Sequence, residues 1–261
     1  MRVATVTTQL SSQFTAARTQ AHTAYVRQAI APATQPDDVI AQTVSNLLQS
    51  LSAVWKLHWE TEHKDTLWRL AVNGVQGAGG ASICFRKPCP CGSSLTHHQV
   101  RLNHSHLHRL HSFWDCPVAQ AVREQLQQQL GMTQLSRQAV WLLQPPAEHI
   151  NTGVWQVVCT AAISAMDVGR RSMWSAYHAT GTTATGTAIP AVTQAARTAV
   201  QSFWQILIQF ADRPVIPAGH AWLGLGTAHP FLATRQQDGD RDQDTSPLVV
   251  QLPPALALDV L

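Results

Sequence analysis

CPCGSSLTHHQVRLNHSHLHRLHSFWDC, residues 89–116, packs three cysteines and six histidines into 28 positions. Zinc takes thiolate and imidazole ligands in a tetrahedron, commonly as two short pairs separated by a longer loop. Cys89 and Cys91 supply one such pair, and His111 with Cys116 supplies the other, as His-Ser-Phe-Trp-Asp-Cys. Cys116 stands directly before Pro117, at the mouth of an expected helix. Unpaired N–H groups and the helix dipole stabilise a thiolate there. Large apolar side chains are few between residues 84 and 116, so burial alone is not expected to close the segment. A structural zinc contributes apparent binding energy on the order of 10–16 kcal/mol in small finger peptides. The expected metal ligands are therefore Cys89, Cys91, His111 and Cys116, around a structural Zn2+. The single residue between Cys89 and Cys91 is tighter than the usual two-residue chelate, so Cys84, His97, His106 and His108 stand as substitutes. Surplus histidines also suit a plain solvated segment in a Gln- and His-rich chain.

The 261-residue chain is 45% apolar but only 13% charged, with a formal charge of +3. That length supports one large domain or two small ones. No apolar run approaches the 18 or so residues of a membrane helix, and residues 1–14 lack the h-region of a secretory signal. Five cysteines, an odd number without an export signal, point to a reducing, intracellular compartment, nucleus or cytoplasm. Arg2, Arg18 and Arg27 with no acid before residue 37 keep organelle targeting open.

Helical signals flank the Cys/His segment. Pro36, Asp37 and Asp38 make a helix start. Ile40, Val44, Leu47, Leu48, Leu51, Val54 and Trp55 then recur at threes and fours as one stripe. DTLWRLAVNG predicts a short helix stopped at Asn73–Gly74, followed by a glycine loop, GVQGAGGAS. Pro117 to Gly131 predicts a helix with Val118, Val122, Leu126 and Leu130 on one side. Longer helices are expected near 151–175 and from Pro190 to the residue before Pro214, joined by a Gly/Thr/Ala linker around 178–188. Residues 234–247 lack large apolar side chains and read as disordered. Cys159, among Val157, Val158 and Ala161, reads as a core thiol. Trp55, Trp59, Trp68, Trp155 and Trp204 read as core or interhelix anchors.

The expected fold is mostly α: a helical protein with a small Cys/His zinc-knuckle loop between helices and a loop-rich or disordered C-terminal tail. Its expected segments are a flexible 1–35, a zinc module with flanking helices over 36–131, a helical region over 136–213 and an irregular tail over 214–261.

Trp68-Arg69-Leu70, Cys89-Pro90-Cys91-Gly92, and His111 to Cys116 leading into Pro117 together resemble the zinc-binding domain that follows the polymerase in non-LTR retrotransposon reverse transcriptases. The resemblance covers roughly residues 50–130 and is most specific at the His-x4-Cys-Pro end. It implies a non-catalytic zinc module that binds nucleic acid beside a polymerase. The polymerase itself is absent: the one Asp-Asp pair, Asp37–Asp38, follows Gln35–Pro36 at a helix start, where no aromatic-x-Asp-Asp metal turn can form.

Other chemistry finds little footing. His58 and His63 are five apart, about 140° around a helix, and Trp59 stands where a metalloprotease needs Glu. No phosphate loop or nucleophile elbow is present, so no enzyme and no small-molecule substrate is expected. Arg86, Lys87, Arg101, Arg109 and Arg123 against Asp115 make 84–123 more basic than the whole chain. Arg86, Lys87, Arg101 and Arg109 are thus the expected phosphate contacts, with Trp114 as a base-stacking ring, on RNA or single-stranded nucleic acid. The same ring can instead pack inward over the metal. A protein partner bound through the 151–213 helices, or a decayed retroelement fragment without activity, are the competing expectations.

Overall fold

The computed structural model describes residues 2–72, 74, 89–92, 109–180, 188–212, 229–234 and 248–253. Its elements are α1 (Arg2–Ile30), α2 (Asp37–Lys56), α3 (Thr61–Ala71), a π-helical turn (His111–Asp115), α4 (Pro117–Leu130), α5 (Arg137–Trp141), α6 (Thr152–Thr180), α7 (Ala188–Ala211), β1 (Leu232–Thr234) and β2 (Leu248–Val250). Helix dominates, as the apolar periodicity predicts. No helix among the described residues is long and apolar enough to cross a membrane.

α6 is the axis of the molecule. Nearly every residue from Val154 to Ala165 is buried, on all sides of the helix, because α2, α3, α4, α7 and the π-turn surround it. A helix apolar all round can be stable only in such a position. The closest seam is at Gly169. A Cβ there would lie 2.6 Å from Val118 of α4, 2.7 Å from Ala199 of α7 and 2.8 Å from the Ala195 carbonyl. Glycine lets the three helices meet. Around this axis one contiguous apolar cluster runs from Tyr25 of α1 to Leu248 of β2. The 36–131 and 136–213 segments therefore share a single core.

α2 begins after Pro36 with Asp37 and Asp38 in its first turn, and it buries Ile40, Val44, Leu47, Leu51 and Val54. Leu48 and Trp55 were placed on the same stripe but are 39% and 49% exposed. They fall at its edge, where Trp55 still meets Trp68 of α3 at 6.5 Å between centroids and Lys64 of α3 at 5.4 Å from its ring. Trp59 and Trp155 are buried as expected, Trp204 likewise. α4 has Pro117 in its first turn, buries Val118, Val122 and Leu126, and ends at Gly131 with φ 63°, a left-handed conformation that costs glycine little.

One expected segment differs, and the loop-rich tail adds a short strand pair. Residues 1–35, read as flexible, form α1, whose Tyr25, Val26 and Ala29 are buried. Its weak amphipathic pattern hides it; among its described side chains, those that reach the core lie near its end. The tail from 214, read as irregular, contains β1 and β2, antiparallel with Leu232 opposite Val250. Phe231 is fully buried beside Trp155, Phe203 and Trp204. The Gln129 amide of α4 donates to the carbonyls of Gln251, at 2.9 Å, and Pro230, which docks the hairpin. The glycine loop after Gly74, the 181–187 part of the linker and the 235–247 stretch lie outside the described residues.

Candidate metal centre

Cys89-Pro90-Cys91-Gly92 forms a tight turn in which the Gly92 N–H donates to the Cys89 carbonyl at 3.0 Å. Gly92 has φ 80°, and Pro90 at the second position presets the bend. Folding the chain over one intervening residue brings both sulfurs to the same place. The short Cys-Pro-Cys spacing is thereby accommodated.

The second pair depends on an unusual backbone. In an α-helix, residues five apart point about 140° away from one another. Here the Cys116 N–H donates to the His111 carbonyl at 2.7 Å, closing the i→i+5 ring of a π-turn. This wider winding returns the sixth residue under the first. Pro117 contributes by disfavouring helical geometry at Cys116, which is extended at φ −64° and ψ 138° and caps α4. His-x4-Cys-Pro thus becomes a chelate through a local backbone device.

The ligand atoms of Cys89, Cys91, His111 and Cys116 all lie within 4.8 Å of one another. Tetrahedral zinc, with Zn–S near 2.3 Å and Zn–N near 2.0–2.1 Å, sets its donors roughly 3.6–3.8 Å apart. Cys91 Sγ and His111 Nε2 are 3.4 Å apart, close to that separation. His111 and Cys116 are buried at 6% and 1% exposure, whereas Cys89 and Cys91 are partly exposed. The four side chains fit a metal ion of this class.

Electrostatics agree. Hydrogen bonds from Cys116 and then Cys91, followed by burial, push the Cys89 thiol far above its ordinary range. Burial pulls the His111 imidazole down, but hydrogen bonds to Cys116 and Cys91 and the charge of those sulfurs prevail and lift it to about 10. Each value expresses one fact: anionic sulfurs this close demand a compensating positive charge.

The π-turn is fastened to the core from behind. The Trp141 indole N–H donates to the Phe113 carbonyl at 3.3 Å, and Phe113 is fully buried. Tyr25 stacks on Trp141 at 5.3 Å between centroids, and its hydroxyl donates to the Trp141 carbonyl at 2.8 Å. Arg109, two residues before His111, donates to Gln28 Oε1 of α1 at 2.7 Å and to the Leu70 carbonyl of α3 at 3.1 Å. Its guanidinium also lies over the Tyr25 ring at 5.0 Å.

Arg109 is therefore not the phosphate contact expected of it. It is 2% exposed, and burial lowers its pKa to about 10, so it stays charged as an internal tie. Trp114 is half-buried with the Arg123 guanidinium 4.8 Å from its ring, combining the two orientations considered for it. Arg86, Lys87 and Arg101 lie outside the described residues, as do Cys84, His97, His106 and His108. Cys159 is a core thiol, fully buried with its pKa pushed up by burial. His63 faces Ser164 at 2.9 Å. The Tyr25–Trp141–Arg109 anchor is absent from the sequence reading, because partners 116 residues apart leave no local signal.

Comparison with protein-family models, with curated proteins and with solved structures finds no match to this chain.

Proposed function

We propose that this chain is a non-catalytic, zinc-stapled helical module that serves as a nucleic-acid-binding accessory, derived from a retrotransposon reverse transcriptase. The observation that carries the zinc assignment is the converging Cys89–Cys91–His111–Cys116 quartet. Three thiolates and one imidazole favour zinc over oxygen-seeking cations such as magnesium or calcium. Four protein ligands complete a tetrahedron and leave no open position for a substrate, the signature of a structural ion. The ion's role is to bind the 89–92 turn to the π-turn at the head of α4.

Nucleic-acid contact draws support from the His-x4-Cys-Pro resemblance and from the charge around the site. With Arg109 internal, Arg86, Lys87, Arg101 and Arg123 against Asp115 remain for phosphate contact. Four such contacts on a single strand give a salt slope that weakens binding about 50-fold between 50 and 200 mM salt. Metal analysis of purified protein by mass spectrometry should find a single zinc per chain, and retention on single-stranded RNA should follow that slope. Zinc without salt-sensitive RNA retention would leave the staple and remove the nucleic-acid reading.

The second reading is a zinc-stabilised adaptor for another protein. It is favoured by the exposed Val39, Leu48 and Trp55 on α2 rather than by the 154–165 part of α6, which is already covered.

A further inference from the structure

α2 carries a second stripe beside the one it buries. Ala41, Ser45, Leu48, Ser52 and Trp55 each follow a core residue by one position, which turns them about 100° round the helix, and all five are exposed. Their alternating spacing of four and three is the seam spacing of paired helices. Three of the five are small. An open groove of about 540 Å³ runs along this flank over Ser45, Leu48, Gln49, Ser52, Ala53 and Lys56. The Trp55 ring is 49% exposed, yet Lys64 at 5.4 Å and Trp68 at 6.5 Å steady it, so docking against it costs little side-chain freedom.

The charges select what covers this flank. From residue 37 to residue 56 the only ionisable side chains are Asp37 and Asp38 in the first turn and Lys56 in the last. A second α2 laid parallel would set acid against acid and lysine against lysine. Laid antiparallel, one register puts Asp37 opposite Lys56, Asp38 opposite Trp55, Ala41 opposite Ser52 and Ser45 opposite Leu48. All four pairs share a two-fold axis between Asn46 and Leu47, as a self-complementary dimer requires. The small Ser45 leaves room for Leu48, and the two helix dipoles oppose each other favourably. Asp37 already holds Arg27 at 2.8 Å with its side chain 89% exposed, which leaves two carboxylates against one guanidinium at the acidic end. At the other end Lys64 over Trp55 adds a second cation. Glu60 and Glu62 come only after the 57–59 bend, at the start of α3. We propose that this flank of α2 is a self-association surface, docking antiparallel on the same flank of a second copy with Asp37 facing Lys56. It needs neither the metal nor nucleic acid. Two helices meeting over about 30 Å make a small interface, in the class that associates weakly and reversibly.

The test weighs the full-length chain by sedimentation equilibrium from about 1 to about 500 μM, the span of weak complexes. The mass should rise with concentration from 28.5 kDa toward twice that value. Leu48→Glu should stay monomeric throughout. Lys56→Glu, which sets like charges opposite each other twice per dimer, should weaken the pairing about tenfold. Both variants should keep the wild-type helical circular dichroism. Ala41→Cys combined with Ser52→Cys should give an intermolecular disulfide joining position 41 to position 52. Within one helix those positions are about 16 Å apart, too far to bridge. A monomer mass at every concentration would overturn the proposal and leave the flank to a different protein. So would a dimer untouched by Leu48→Glu and Lys56→Glu, an associated protein with no 41–52 bridge, or bridges joining 41 to 41 and 52 to 52, the mark of parallel pairing.

Discussion

The two halves of the candidate metal centre are built by different forces. His111 and Cys116 ride on a turn whose Phe113 is fully buried and whose backbone is held by Trp141. Arg109 ties the residues just before that turn to α1 and α3. Cys89 and Cys91 sit on a four-residue turn with one internal hydrogen bond and partial exposure. The first half is preorganised by the fold. The second is a short turn, with Pro90 buried and Cys89 and Cys91 at the margin of the core, that meets the first at the ligand cluster. Metal affinity in such a site is set by how little the rigid half must move and by how much conformational freedom the loose half must lose. The staple should therefore matter greatly for residues 89–92 and little for the α4–α6–α7 core.

The largest expected effect breaks the centre itself. Cys116→Ala leaves three donors and removes the buried sulfur that belongs to the rigid half. Bound zinc should fall from one per chain to near none, and proteolysis within 89–116 should quicken by about tenfold or more. The helical circular dichroism should stay close to wild type, because α6 and α7 pack without the ion. A helical signal lost together with the zinc would show that the core and the centre are one cooperative unit. Chelation of the wild-type protein repeats the test without a substitution.

Gly169→Ala attacks the other region. The new methyl would lie 2.6–2.8 Å from Val118, Ala199 and the Ala195 carbonyl, where helix backbones have little room to yield. A loss of about 1–3 kcal/mol, read by denaturant unfolding, is expected from overpacking, with zinc content unchanged. Zinc lost in parallel would contradict the division between the two regions.

Arg109→Met sharpens the boundary between them. Methionine keeps most of the packing but leaves the buried Leu70 carbonyl without its donor, a cost of about 1–3 kcal/mol. Zinc affinity should weaken by about tenfold, the low end for groups that orient ligands from behind, while the salt slope of any RNA binding stays as in wild type. A shallower slope would return Arg109 to the phosphate contacts.

How much of this was legible in the sequence depends on whether the cause was local. The ligand quartet is read from spacing because its determinants, Cys-Pro-Cys-Gly and His-x4-Cys-Pro, each act within six residues. α2, α4 and α7 are read from period and caps. Arg109 misleads because a cation in a basic stretch looks solvated, and only the meeting of α1, α3 and the π-turn makes it internal. The few apolar residues of 84–116 suggest that metal alone closes the segment, yet Phe113 shows packing holding half of it. α1 and the β1–β2 hairpin escape notice for the same reason: Tyr25 and Phe231 are single large anchors, and their partners lie far along the chain. Trp55 lies at the edge of a true stripe, where it joins α2 to Trp68 and Lys64 of α3 while staying 49% exposed, and periodicity alone cannot distinguish that edge from the centre.

The smallest expected effect concerns the hairpin, the part of the core farthest in sequence from the metal ligands. His229 precedes β1, is 8% exposed, and its Nδ1 accepts from the Phe231 N–H at 3.3 Å. Burial, and secondarily the neighbouring His149, lower its pKa from 6.5 to about 4. A base whose folded pKa is depressed is neutral in the fold and more readily protonated when unfolded. Its contribution is therefore whole above pH 6.5 and is lost progressively as pH falls toward 4. Melting temperature measured across that window should drop less steeply in His229→Gln than in wild type. Because acid also protonates thiolates, the comparison belongs in metal-free protein, where the centre cannot contribute through zinc release. Equal slopes in the two proteins would mean that His229 does not report on folding, and the hairpin would then owe its docking to Phe231 and Gln129.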